Sequence, residues 1–166
     1  MSITLEELNA SSREQFIEKL GAVFEHSPWI AASAFGAKPF ASIEALHAVM
    51  INVVRESRME TIIDLFRAHP DLGTRLAVAE YSAKEQQGAG LNQLSHEEYE
   101  QFSGLNQIYV KTFGFPFILA VKGKNKEQIL AAMESRIWHT SSEEIEQALL
   151  EIEKISGFRL RDLIIE

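Results

Sequence analysis

The sequence predicts an all-α protein, a compact bundle of about seven to nine helices forming a single domain over residues 1–166. Three observations predict it. Helix-start signals recur along the chain: Thr4-x-x-Glu7, Ser12-x-x-Gln15, Ser57-x-x-Glu60, Ser82-x-x-Glu85, Ser95-x-x-Glu98 and Thr140-x-x-Glu143 each read as a capping box. Between them, apolar residues return at three- and four-residue spacing. Only one short apolar run breaks that rhythm.

Taken in order, Ser12 opens a helix carrying Phe16, Leu20, Val23 and Phe24, with Gly21 a mild cost within it. His26–Ser27–Pro28–Trp29 ends it. Ser42 starts the next, with Leu46, Met50, Val53 and Val54 on one face. Met59, Ile62, Ile63 and Phe66 then carry a helix into Arg67–Ala68–His69–Pro70–Asp71–Leu72–Gly73. Pro70 disfavours the α conformation in the residue before it, so the helix stops at the histidine. Between Asp71 and Tyr81 the pattern is weak, with room for one short turn before the Ser82 cap. Gln87–Gly88–Ala89–Gly90 terminates what Ser82 begins. A longer helix follows Ser95, with Phe102, Leu105, Tyr109, Val110 and Phe113 at core spacing.

The exception is Phe113–Gly114–Phe115–Pro116–Phe117–Ile118–Leu119–Ala120–Val121. It is either a buried extended segment or a short helix starting at Pro116. Lys122–Gly123–Lys124–Asn125 turns the chain, and Asn125 caps a helix carrying Ile129, Met133, Ile137 and Trp138. The last helix runs from about Glu143 to the C-terminus.

Composition narrows the function. A formal charge of −8 offers no basic face for nucleic acid. With no cysteine, thiolate nucleophiles and Cys-based metal centres are excluded. No His-x-x-x-His or related spacing suggests a metal site. The N-terminal residues lack the pattern of a signal peptide, and no apolar run has membrane-spanning length, so a cytoplasmic protein is expected.

Two features point to chemistry. His69, at the negative end of a helix dipole, has a titratable ring held at an element boundary, although histidine is also a common way to end a helix. On the last helix, Ile145, Leu149, Ile152, Arg159 and Leu163 fall within a sector of roughly 80° at about 100° per residue. Arg159 therefore lies along the apolar stripe. It needs carboxylate or carbonyl partners there: an intrachain salt bridge, or an anionic ligand held bidentately. Ser82 and Glu85 read first as a cap, yet a helix start with a hydroxyl also suits an anion, and the Gln86 amide could read a planar heterocycle. From the residues alone, a small cofactor-free lyase or isomerase and a non-catalytic helical interaction module both remain open.

Together these stretches resemble one family. Ala68–His69–Pro70–Asp71–Leu72–Gly73, then Ser82-x-x-Glu85–Gln86 with Ala89–Gly90–Leu91, look like its active-site segments. So do Leu105–Asn106-x-x-Tyr109-x-x-x-Phe113–Gly114–Phe115–Pro116–Phe117–Ile118 and the closing Ile155-x-x-x-Arg159–Leu160-x-Asp162–Leu163. The family is OHCU decarboxylase (2-oxo-4-hydroxy-4-carboxy-5-ureidoimidazoline decarboxylase), which completes the route from urate to allantoin. The resemblance implies an all-helical homodimer without metal or organic cofactor. It makes His69 the proton donor and Glu85 its partner. Pro70, Ser82, Ala83, Lys84, Glu85 and Gln86 would line the substrate pocket with the backbone of Phe117, Ile118, Leu119, Ala120 and Val121, and Arg159 would hold the anionic substrate. Glu85 cannot serve its own cap and His69 equally well, so its capping box is the one local reading expected to fail.

Overall fold

The computed structural model describes residues 2–74 and 78–166, so part of the weak stretch between Asp71 and Tyr81 lies outside the described residues. Among the described residues the chain is mostly helical, with nine α-helices and one two-stranded sheet. It divides into two compact units. One joins the chain up to residue 68 with residues 153–166; the other is residues 69–152.

In the first unit, β1 (Ile3–Thr4) pairs in parallel with β2 (Ile164–Ile165), Ile3 opposite Ile164. The unit contains α1 (Leu5–Ala10), α2 (Arg13–Leu20), α3 (Trp29–Ala34), α4 (Ile43–Arg55) and α5 (Met59–Arg67). The C-terminal half of α9 (Ser141–Leu163) completes it. Leu8, Phe16, Leu20, Ile30, Leu46, Met50, Val54 and Phe66 are buried, as the apolar spacing requires. The second unit holds α6 (Glu80–Gly88), α7 (His96–Phe113), α8 (Lys126–Arg136) and the first half of α9.

Capping boxes form at Thr4, Ser12, Ser95, Asn125 and Thr140. The boxes read at Ser57 and Ser82 do not. At Ser57 the hydroxyl turns back to donate to the Val53 carbonyl at 2.7 Å, and α5 starts later with Arg58 at its N-cap. At Ser82 the helix has already begun: Ala79 is the N-cap, without a side-chain cap bond, and Ser82 is the third helical residue. The capping reading of Ser82 and Glu85 therefore fails, as expected for Glu85, because the helix begins before Ser82.

Other boundaries also moved. The helix opened by Ser12 ends at Leu20, with the Gly21 amide closing on Ile17 O at 2.7 Å; Val23 and Phe24 are buried from the turn beyond. Trp138 lies past the end of α8 and is 85% exposed, so it is not core. Residues 115–121 form no helix at Pro116 and no sheet. Gly157 does not break α9; a Cβ there would sit 3.1 Å from His47 Cε1, so the glycine permits close packing within the first unit.

Candidate active site

α5 ends at Arg67, the Ala68 amide reaching back to Asp64 O and Leu65 O, and Pro70 prevents another turn. His69 follows immediately and is half-buried, as is Pro70. The loop beyond is fastened to two helices of its own unit. The Gly73 amide donates to Gln86 Oε1 at 3.0 Å, and Gln86 Nε2 donates to Asp71 O at 3.3 Å. Asn106 Nδ2 of α7 donates to Leu72 O at 2.9 Å. Gly73 has φ +74°, and a Cβ there would meet Leu94 Cδ1 at 2.9 Å, so both conformation and space require glycine.

On α6, Ser82 and Gln86 are buried and Glu85 is half-buried, one face at i, i+3, i+4 spacing. Ala83 and Lys84 point away from it and are exposed, Lys84 pairing with Glu80 at 3.2 Å. The structure thus places His69, Pro70 and residues 82–86 in one unit, and uses both ends of the Gln86 amide on loop backbone.

Residues 117–121 belong to the same unit. Phe115 and Phe117 stand edge-on to Tyr109, with ring centroids 5.9 and 5.3 Å away. Gly114 closes α7 in the left-handed conformation, which directs the apolar run back onto it. Without sheet partners, the segment's backbone is held by side chains. Arg136 Nη1 donates to Ile118 O at 2.7 Å, its guanidinium lying 4.3 Å from the Phe117 ring centroid. The Ala120 amide donates to Glu151 Oε1 at 3.0 Å, and Gln147 Nε2 donates to the other carboxylate oxygen at 2.8 Å.

Arg136 is itself fixed by Glu144, which is fully buried: the guanidinium meets that carboxylate at 2.8 Å. Tyr109 donates its hydroxyl proton to Glu144, and His139 Nδ1 lies 2.9 Å from it. Burial acts to raise the Glu144 pKa, but the hydrogen bonds from Arg136 and Tyr109 outweigh it and hold the carboxyl below its ordinary range. Burial, reinforced by Glu144, pushes the Tyr109 phenol far up, so it remains a donor.

Arg159 lies in the first unit and is 3% exposed, as its helical phase required. Its Nη2 meets Glu25 Oε1 at 2.9 Å and its Nη1 donates to Val23 O at 3.0 Å, which is the intrachain pairing that a buried guanidinium needs. Among the described residues, no group of three or more His, Asp or Glu side chains is arranged to hold a metal ion.

Sequence reasoning missed Glu144, Glu151, Arg136 and the role of Asn106. A signal existed for two of them. Glu144 and Glu151 are seven residues apart on α9, on the side of Ala148 that flanks the apolar stripe. The buried face is wider than the stripe alone and takes in both carboxylates.

A sequence model of the OHCU decarboxylase family matches residues 9–161. Over 163 residues the chain is 42% identical to the 2-oxo-4-hydroxy-4-carboxy-5-ureidoimidazoline decarboxylase of Halalkalicoccus jeotgali, covering 98% of this chain and 93% of that protein. It is 44% identical to the uric acid degradation bifunctional protein PucL of Bacillus subtilis, again over 98% of this chain but only 33% of that relative's length. A crystal structure of (S)-allantoin synthase superposes with a TM-score of 0.77 at 31% identity, over 98% of this chain and 54% of that one. With the helical fold, the histidine at the α5 stop and a family match over most of its length, the chain belongs to the OHCU decarboxylase family.

Proposed function

We propose that this protein decarboxylates 2-oxo-4-hydroxy-4-carboxy-5-ureidoimidazoline to (S)-allantoin and carbon dioxide, with His69 as acid/base and Glu85 as its partner. Family membership supports the reaction. The observation that carries the site is the fastening of the loop after His69 through Gln86 and Asn106. A proton donor must be fixed in space to deliver to one face of a planar centre, and this loop has three side-chain hydrogen bonds within four residues of the ring.

The substrate chemistry needs no external electron sink. When the carboxylate leaves, its bonding pair enters a new ring C=C bond, the adjacent ring C=N takes up the displaced π electrons at nitrogen, and that nitrogen takes a proton from water. The resulting enol loses its hydroxyl proton to become the carbonyl of allantoin. A proton added to one face of the ureido-bearing carbon sets the S configuration. Histidine has the pKa range for that delivery, and a carboxylate partner fixes its tautomer. The reading gives Pro70, Ser82 to Gln86 and the backbone of residues 117–121 the substrate contacts, with Arg159 as the anion clamp and a homodimer as the working form.

The test is to mix the protein with freshly generated substrate and follow circular dichroism of the product. Spontaneous decay yields racemate, so an enantiomeric excess is the expected signal. His69→Ala is expected to abolish it while far-ultraviolet dichroism stays native; near wild-type stereospecific turnover by that variant removes His69 from the chemistry. Wild-type protein giving only racemate leaves the helical interaction module as the reading. Light scattering on the purified chain checks the dimer.

A further inference from the structure

Residues 117–121 are apolar and lie outside any sheet, and a buried backbone without ladder partners needs its polar groups satisfied some other way. Two charged side chains do this. The Ile118 carbonyl accepts from Arg136, and the Ala120 amide donates to Glu151. These groups stand two residues apart, the spacing at which extended backbone presents polar groups to the same edge. Glu151 is 2% exposed and Arg136 is 6% exposed, so both are committed to the interior. Arg136 is held by Glu144, and Glu151 by Gln147 one turn earlier on α9.

We propose that Glu151 and Arg136 act as a surrogate neighbouring strand: they fix the register of residues 117–121 from behind, so that the N–H and C=O of Leu119 face the substrate on the opposite edge. Both are positioning residues and neither touches substrate. The inference rests on the functional reading above for what the free edge binds, and deepens it by naming what holds that edge in place. An edge offering one donor and one acceptor suits a ureido or cyclic amide group, which presents the complementary pair.

The experiment joins two measurements on Glu151 variants of the full chain. The first is hydrogen–deuterium exchange at the Ala120 amide without substrate, which is independent of any activity. The second is the split of kcat and KM for the stereospecific reaction. Glu151→Leu removes the acceptor, and exchange at Ala120 is expected to quicken about tenfold, with KM rising by about the same factor and kcat little changed. Glu151→Gln keeps an acceptor oxygen and is expected to restore both. If Glu151→Leu does not fold, Glu151→Asp is the second probe: it withdraws the carboxylate by one methylene, and the same directions are expected. Unchanged Ala120 exchange in these variants overturns the positioning role. Faster exchange with wild-type KM overturns the link to substrate. Absence of turnover by wild-type protein overturns the functional reading instead, and the exchange measurement still decides whether Glu151 holds the segment.

Discussion

Asn106 spends its side-chain amide on the Leu72 carbonyl, three residues after His69. Its replacement by leucine keeps the branched outline of the side chain but leaves a buried carbonyl without its donor, at a cost of about 1–3 kcal/mol. A lowered urea midpoint with unchanged slope is expected, together with reduced kcat because the His69 loop loses one of its fastenings. An unchanged midpoint would show that the loop does not depend on Asn106. Glu144 gives a second expectation at this scale. Its folded-state pKa lies below the ordinary 4.5, so the stabilisation it confers is complete above that value and is lost as pH falls through the folded pKa. Urea unfolding of Glu144→Gln between pH 7 and pH 3 is expected to show a shallower acid loss than wild type; parallel curves would exclude Glu144 from acid unfolding. Neither the Asn106–Leu72 nor the Glu144–Arg136 pairing was legible in the chain. Gln86 was noticed for an amide that could read a ligand, but a linear sequence does not say which carbonyl an amide will find first.

At the scale of elements, the realised caps and the failed ones separate two kinds of evidence. Ser95 accepts from the Glu98 amide at 3.1 Å, with the Glu98 carboxylate returning to Ser95 N at 2.9 Å. Ser95→Ala is therefore expected to cost about 1 kcal/mol. Ser57→Ala removes only a hydroxyl bonded to a helix-end carbonyl and is expected to cost a few tenths. Thermal melts of the two variants check this, and equal losses would mean that Ser57 caps α5 after all. Helix existence was readable because caps and apolar spacing are local. Boundaries shifted where tertiary demands intervened, as at α6, which starts at Glu80 and so moves Ser82 from cap to buried face. The run from Phe113 to Val121 stayed ambiguous for the same reason: its backbone partners, Arg136 and Glu151, come from helices later in the chain.

At the scale of the molecule, the first unit is assembled from chain segments far apart in sequence, and Arg159 joins them by reaching Val23 and Glu25 more than 130 residues away. The structural tie and the proposed anion clamp are separable. Glu25→Leu removes the carboxylate from a guanidinium that is 3% exposed, and a loss of about 3–5 kcal/mol is expected. Adding Arg159→Met to that variant replaces the pair with apolar side chains and is expected to recover much of the stability, since two charges no longer have to be desolvated. Activity should not recover with it. If Arg159 also holds the substrate anion, the double variant folds but shows a KM raised well above wild type, whereas a purely structural arginine gives a double variant with wild-type KM. Arg159→Lys adds a finer comparison: it keeps the charge and loses the planar fork, so a clamp predicts weaker substrate affinity even where the melting temperature is preserved.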